Sequence, residues 1–349
     1  MNYISSAVPR LKRAPLAVLQ YAEYAIAIRT RRQTTLMSTP SDPLLDRAQA
    51  RWTDLAASRP DLEPAIAMQR SMVTRTIDAV RRLGATEIAD ITLEPALAAT
   101  KLRAATPVLR GEVLALPVEL LGPLVLHACD DLAAGRAGEV ARHVRACLDA
   151  GRIELGSLLV ASFDRDHNAI RMKAMHESIA PDVLWLAAEL AVGPAAHIAQ
   201  QAVFVPKGGE PHPAVTGALA DWPHGYCPAC GSWPAFGEAT DGAERLRCSF
   251  CGLGWHRNRP GCTYCGADEL TAVKTDPGEP QRAELCGGCG AYLKWLIPAV
   301  PMPFELLAVE DLASMALDVL AAKQGFGRPS LPDLGEPARL PCEGLKTAP

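Results

Sequence analysis

The chain lacks a phosphate-binding glycine loop, a nucleophile elbow and a helical zinc-protease signature. The enzyme chemistries that such motifs carry are therefore not expected, and the chain is read as a non-enzyme. It also lacks a long uncharged apolar run. A spanning helix needs about 20 mostly apolar residues, whereas the stretch 190–206 carries Gly193-Pro194, His197, Gln200 and Gln201. No membrane insertion is expected. Basic charge is not in surplus either: the formal net charge of the 349 residues is −4. Aromatic residues make up only 5%, yet four of the six Trp fall between Trp222 and Trp295. Between residues 41 and 203 there is no sustained apolar–polar alternation, which argues against strands there.

An export signal is missing as well. The first 36 residues hold Arg10, Lys12, Arg13, Arg29, Arg31 and Arg32 against one acid, Glu23. The twin arginine Arg31-Arg32 is followed by Gln-Thr-Thr-Leu rather than an apolar core. The run 14–28 is interrupted by Gln20 and Glu23, and no clear cleavage site follows. Met37 offers a second candidate start. Residues 1–40 are read as a basic leader, disordered or upstream of the true start, with a targeting peptide as the competing reading. A disulfide framework would need an oxidising compartment, for which no convincing export signal is found.

What the chain does have is cysteine in one pattern. Four Cys-x-x-Cys-Gly copies fill the C-terminal third: Cys227/Cys230, Cys248/Cys251, Cys262/Cys265 and Cys286/Cys289, each followed by Gly. Two cysteines at this spacing can aim both sulfurs at one ion, and the Gly suits the positive-φ turn such a knuckle needs. Two knuckles complete a tetrahedron. Seventeen residues separate Cys230 from Cys248 and 20 separate Cys265 from Cys286, but only ten separate Cys251 from Cys262. The longer gaps match the four-cysteine zinc pattern. Sequential pairing is the simplest: Cys227, Cys230, Cys248 and Cys251 on one ion, Cys262, Cys265, Cys286 and Cys289 on the other. A crossed arrangement stays open, and so does the metal, because four thiolates bind iron or zinc.

The spacers repeat one plan. Trp233–Glu238 is an extended run, Asp241-Gly242 a hairpin turn signal, and Arg245–Arg247 a return strand. Leu270–Thr275, a turn at Pro277–Pro280 and Arg282–Leu285 follow the same order. Two tandem ribbons, an internal duplication with a period of about 36 residues, are predicted. Such small units bury little apolar area, so metal supplies folding energy, about 10–16 kcal/mol per site in zinc-finger peptides.

Around the ribbons the patterns are helical. Asp61 is a candidate cap for a helix with Val73, Ile77 and Val80 on one face and Gly84 as a stop. Residues 116–134, 139–150 and 181–201 look similar, the last central and bent or split at Gly193-Pro194. The fold class is thus α+β: an all-α N-terminal bundle, then a small C-terminal domain of two rubredoxin-like or zinc-ribbon modules with a closing helix. The expected boundaries are a leader at 1–40, a helical domain at 41–206, a linker at 207–222, ribbons at 223–297, a C-terminal helix at 298–328 and a disordered tail at 329–349. Ala291–Ile297 is read as a closing strand, with an edge there to which an extended partner segment could add. Leu312, Ala316, Val319 and Leu320 are expected to share the buried face of the last helix.

Other titratable clusters have bland readings. Asp164-Arg-Asp-His-Asn168 fits a helix cap or turn better than acid–base chemistry. His127-Ala-Cys129-Asp-Asp131 reads as a buried thiol beside solvated acids; Cys147 is read as a core thiol and Cys342 as part of the tail. His224 and His256 lie near the knuckles but are not needed as ligands.

The run Tyr226-Cys-Pro-Ala-Cys-Gly-Ser-Trp-Pro234, Cys248-x-x-Cys with Trp255-His256, Cys262-x-x-Cys and Glu284-Leu-Cys-Gly-Gly-Cys-Gly-Ala-Tyr-Leu-Lys294 resembles the formate dehydrogenase accessory protein family, FdhE. The segment Val309–Asp318 is similar to that family's C-terminal helix. The match is specific from about Pro223 to Gly327 and loose over 41–200. It implies a cytoplasmic, non-catalytic factor that engages the catalytic subunit of a respiratory formate dehydrogenase before export. It further implies rubredoxin-like iron binding through these cysteines.

Two other functions compete. A redox-active rubredoxin-like iron protein would use the same thiols as an electron carrier. A nucleic-acid-binding zinc ribbon is opposed by charge: residues 221–297 hold nine acids and seven Lys or Arg, and each tetrathiolate around a divalent ion adds two negative charges. Phosphate binding needs a basic footprint, so no nucleic-acid partner is expected. Oligomeric state leaves no mark in the sequence.

Overall fold

Proline and acidic caps set where the N-terminal helices begin. The computed structural model describes residues 42–135, 137–205, 211–240, 242–329, 331–332 and 346–347. The basic leader, the first part of the 207–222 linker, Asp241 of the first hairpin turn, and most of the tail with Cys342 lie outside them. Helix α1 (Pro43–Ser58) starts on Asp42, whose carboxylate accepts from the Leu44 N–H, with Pro43 in its first turn. Helix α2 (Glu63–Leu83) follows a single 3-10 turn, Pro60–Leu62. Asp61 does not cap α2 as the sequence suggested. It lies inside that turn and binds Arg59 at 2.7 Å. Helix α3 (Pro95–Arg103) packs on the short helix at Pro213–Ala220, whereas α2, α4 (Val118–Ala133), α5 (Gly138–Asp149), α6 (Leu155–Phe163) and α7 (His167–His176) pack against α8 (Pro181–Phe204).

Helix α8 is central, and it is not split. It runs for 24 residues through Pro194, losing one backbone hydrogen bond where proline has no N–H. Gly193 has a packing role instead: a Cβ there would meet the Phe250 carbonyl at 3.1 Å. The missing side chain is what lets a knuckle seat on the helix. Of the two forms the sequence left open, bent or split, the split is the one not found. Among the described residues α8 alone is long and apolar enough to cross a membrane, and 67% of its apolar window is buried inside the protein. A short helix, α9 (Pro213–Ala220), occupies half of the stretch read as linker. Its start is capped by His212 Nδ1, which accepts from the Ala214 N–H.

The C-terminal third forms one sheet rather than two independent ribbons. Strands β2 (Pro234–Thr240), β3 (Ala243–Cys248) and β4 (Gly254–His256) make the first antiparallel set, β1 (Ile91–Thr92) being a short outlier in the helical region. Strands β5 (Leu270–Val273), β6 (Arg282–Cys286) and β7 (Tyr292–Leu296) make the second. The sets join by parallel pairing of β2 with β7, Gly237 opposite Trp295, giving the order β4-β3-β2-β7-β6-β5. This corrects the expectation of an open edge at Ala291–Ile297. Strand β7 has a partner on each side and all five of its residues are buried, so no further strand can add there; the sheet's free edges are β4 and β5. Residues 346–347 form β8, which pairs with β1.

The closing helix is also revised. It breaks at Ser314 into α10 (Leu307–Ala313) and α11 (Met315–Lys323). Its buried face carries Leu312, Met315, Leu317, Asp318 and Ala321, whereas Ala316, Val319 and Leu320 are only partly covered. Asp318 is inside because it meets Lys294 of β7 at 2.7 Å. The main apolar core is continuous from α8 through Phe250 and the first four cysteines to Trp255 and Trp295. A second core sets α1 and α2 against the closing helices and Phe236. Helices and sheet thus share their interior.

Candidate metal centres

All four Cys-x-x-Cys-Gly segments fold into the same knuckle. In each, the Gly N–H donates to the carbonyl of the first Cys: Gly231 to Cys227 at 2.9 Å, Gly252 to Cys248 at 3.1 Å, Gly266 to Cys262 at 2.8 Å and Gly290 to Cys286 at 2.9 Å. These glycines have φ of 83°, 74°, 77° and 71°, the left-handed region where a side chain is strained. A second bond closes each loop. The N–H of the first Cys donates to the carbonyl five residues on, as from Cys227 to Ser232 at 2.8 Å and from Cys286 to Ala291 at 2.9 Å. Backbone N–H groups also reach sulfur: Cys251 N–H to Cys248 Sγ and Tyr264 N–H to Cys262 Sγ, both at 3.4 Å.

Sheet pairing brings the knuckles together in sequential pairs. Cys227, Cys230, Cys248 and Cys251 form one group and Cys262, Cys265, Cys286 and Cys289 the other, with the sulfurs of each group within 4.8 Å of one another. Sulfur–sulfur distances across the knuckles are 3.6 Å (Cys227–Cys251), 3.5 Å (Cys230–Cys248), 3.8 Å (Cys262–Cys289) and 3.6 Å (Cys265–Cys286). A tetrahedron with metal–sulfur bonds of about 2.3 Å has edges of about 3.8 Å, so each group could hold one such ion. A disulfide would need about 2.05 Å, and all eight thiols are free. The sequential arrangement is the one formed; the crossed one is not.

The proton chemistry of each group suits a cation. Burial opposes ionisation of Cys230, but hydrogen bonds from Cys227, Cys248 and Cys251 and the charge of Arg165 outweigh it and hold that thiol well below its ordinary value. Burial, with their sulfur neighbours, pushes Cys227 and Cys251 well above it. In the second group burial again opposes, yet hydrogen bonds from the Cys289 backbone and the other three thiols lower Cys286, while Cys262 and Cys289 are raised by burial. Metal binding takes the thiolate form, so a thiophilic cation would displace the protons that burial favours on the raised thiols.

The groups differ in setting. The first is enclosed: Cys227, Cys248 and Cys251 are 0% exposed and Cys230 4%. Helix α8 reaches it through His197, whose Nδ1 lies 2.9 Å from the Cys251 carbonyl and whose ring stacks on Phe304 at 4.3 Å. Burial lowers His197 to about 4, so it is neutral at pH 7. The loop after α3 grips the first knuckle, with Val108 and Leu109 N–H donating to the Pro228 and Ala229 carbonyls at 2.9 Å each. Lys101 anchors that loop through the Val108 and Arg110 carbonyls and Glu112. In the second group Cys262 and Cys286 are buried, but Cys265 and Cys289 are exposed.

Arg165 escaped sequence reading. It follows α6 with φ of 58°, and its guanidinium lies 4.1 Å from the Phe250 ring and 4.5 Å from the Trp185 ring. Glu189 takes one N–H at 2.8 Å. The Asp164–Asn168 cluster drew attention for its acids, yet Asp166 only caps α7 through the Ala169 N–H. The arginine is the member of that cluster near sulfur. His224 stacks on Tyr226 at 4.9 Å and His256 is exposed on β4; neither joins a sulfur group. Cys129 and Cys147 are buried in the helical core. Burial pushes the Cys129 thiol up to about 12, and Asp131 beside it pairs with Arg75.

Comparison with known proteins converges on one family. The family model described as FdhE, C-terminal domain, matches residues 246–334, a span holding six of the eight knuckle cysteines. Protein FdhE of Salmonella paratyphi A is 35% identical over 133 residues, 34% of this chain and 39% of that protein. A homolog from Pectobacterium carotovorum is 37% identical over 112 residues, 30% of this chain and 36% of that protein. The chain thus spans about two-fifths of the length of the curated relatives it matches. The crystal structure of the FdhE protein from Pseudomonas aeruginosa superimposes with a TM-score of 0.51 at 25% identity, covering 84% of this chain and 96% of that one.

Proposed function

Because this chain belongs to the FdhE family, we propose that it is a non-catalytic, metal-binding accessory factor in the maturation of a respiratory formate dehydrogenase. In this reading it engages the enzyme's catalytic subunit in the cytoplasm, before that subunit is exported. Cys227, Cys230, Cys248 and Cys251 hold one ion; Cys262, Cys265, Cys286 and Cys289 hold the other. The observation that carries the reading is the pair of sulfur tetrahedra set in a fold shared with FdhE. The ion is iron or zinc: zinc would supply structure alone, and iron a one-electron couple in addition. The chain's own residues do the rest. Knuckle amides steady the sulfurs, Arg165 offsets thiolate charge, and the helices fix the sheet as a rigid platform.

The test is capture of the catalytic subunit by the full chain, purified anaerobically with its metal counted. Two ions per chain with the subunit retained is the expected result. Subunit retention that is unchanged when Cys262 and Cys286 are both serine would remove the second centre from the function; failure of the intact chain to retain the subunit would end the proposal.

One observation favours a second reading, a redox-active iron protein. The rings of Tyr226, Trp233 and Tyr264 run in edge contact between the two groups, at 6.3 Å and 5.2 Å between centroids. A reversible one-electron couple in the native protein would support it, and a colourless, zinc-loaded native protein would eliminate it. The nucleic-acid reading gains nothing: Arg247, Arg257 and Arg282 of the ribbons are each committed to a glutamate.

A further inference from the structure

The two centres share one donor set but differ in what must move before an ion can leave. Opening the first means parting Val108 and Leu109 from the knuckle carbonyls, His197 from Cys251, and Arg165 from Phe250. Its thiols lie in the core that joins helices to sheet. The knuckles of the second group are tied more locally. Gly287 N–H donates to the Glu269 carbonyl at 3.0 Å, Tyr264 hydroxyl to the Tyr292 carbonyl at 3.2 Å, and Arg257 to the Gly261 carbonyl at 2.5 Å. None of these bonds involves α1 to α9.

The second group also has an entrance. A cleft of about 200 Å³ is lined by Cys262 and Cys265 themselves, with His224, Trp233, Arg257 and Arg259 around it. A ligand replacing a thiolate must reach the ion as a sulfur lets go. An exposed thiol beside a solvent cleft permits that; the cysteines of the first group, at most 4% exposed, do not. Arg257 is already paired with Glu284, so Arg259 is the lining cation that favours an incoming anionic donor, such as a thiolate or a carboxylate chelator.

We propose that the second centre is the exchangeable one, taking up and releasing its ion from solution, while the first is a permanent strut between helices and sheet. This inference rests on the metal-binding part of the function proposed above and is independent of the formate dehydrogenase partner.

The experiment uses the full chain loaded with zinc. Metal analysis comes first: two zinc per chain is required, and any other count overturns the two-site assignment and, with it, this proposal, whereas the release kinetics bear on the proposal alone. Excess chromogenic carboxylate chelator is then added, with released thiols trapped by alkylation and mapped by mass spectrometry over time. One equivalent should leave faster than the other by on the order of tenfold or more, because local opening is easier than opening of the shared core. The early labels should fall on Cys262, Cys265, Cys286 and Cys289, with the helical circular dichroism unchanged. Release of both ions in one phase, or early labels on Cys227, Cys230, Cys248 or Cys251, overturns the proposal. A second variant guards against misfolding: Cys289→Ser should keep one zinc and the full helical signal. Loss of both ions, or of the helical signal, would overturn it equally.

Discussion

The Lys294 side chain has no exposed surface, and its replacement is the sharpest test of how the sheet and the closing helices hold together. Its ammonium lies 2.7 Å from Asp318 Oδ2 and 2.8 Å from Asp311 Oδ1, and donates to the Asp311 carbonyl at 3.0 Å. Tyr292 hydroxyl donates to Asp318 at 2.6 Å, and Arg328 touches both acids. Lys294→Met keeps the packed alkyl chain and removes the charge, leaving two acids with Arg328 as their remaining cation. Breaking a buried pair costs about 3–5 kcal/mol; because Arg328 stays, the lower end, about 3 kcal/mol, is expected. With a urea slope of about 3 kcal/mol/M the unfolding midpoint should fall by about 1 M. The assay is urea unfolding of the metal-loaded chain, followed by tryptophan fluorescence, since Trp295 is the next residue on β7. Asp318→Asn alone should also destabilise. The double variant should lose less than the sum of the two, by about 0.5–3 kcal/mol of coupling. A Lys294→Met midpoint within about 0.2 M of the parent, or strictly additive losses, would refute the claim that this ion network fastens α11 to β7.

The same network gives a pH dependence. Asp311 is held well below the ordinary carboxylate range, burial opposing and the charges of Arg328 and Lys294 prevailing. A depressed carboxylate stabilises fully above its unfolded value of about 3.9 and loses that contribution as pH falls further, so acid unfolding of Arg328→Gln should begin at higher pH than in the parent. Gly237→Ala should lower the melting temperature, because the added Cβ would sit 2.4 Å from Trp295 Cε3 and overpacking costs about 1–3 kcal/mol; an unchanged melting temperature contradicts the β2–β7 join. Metal uptake should release protons and weaken as pH falls, since the raised thiols must ionise to bind. A titration in weak buffer that shows no acidification contradicts the four-thiolate site.

The site was far more legible than its surroundings. Knuckle geometry is local: two cysteines, two residues between and a glycine after determine a turn that recurs four times; spacer length favoured sequential pairing but left the crossed one open, and only the fold groups the sulfurs. The strands between knuckles were legible for the same reason. What joined them was not. The parallel pairing of Gly237 with Trp295 links residues far apart in sequence, and nothing in a tandem repeat says whether its copies merge edge to edge. An exposed edge was expected at β7 and a central strand is found there. The Gly193-Pro194 pair left a bend or a split open; the helix is not split, and the close approach of the Phe250 carbonyl to Gly193 is tertiary and could not be read locally. Asp318 on the buried face was not foreseen, because the cation that draws it inward, Lys294, is on another element. Arg165 went unnoticed because its role depends on rings and sulfur that only folding brings near.

The most direct test of the central claim is X-ray absorption at the metal edge of the full, anaerobically purified chain, alongside metal analysis. Two ions per chain, each with four sulfur neighbours at about 2.3 Å and no nitrogen or oxygen in the first coordination sphere, is the predicted result. A single ion per chain, a mixed sulfur–nitrogen shell, or thiols consumed in disulfides would contradict it.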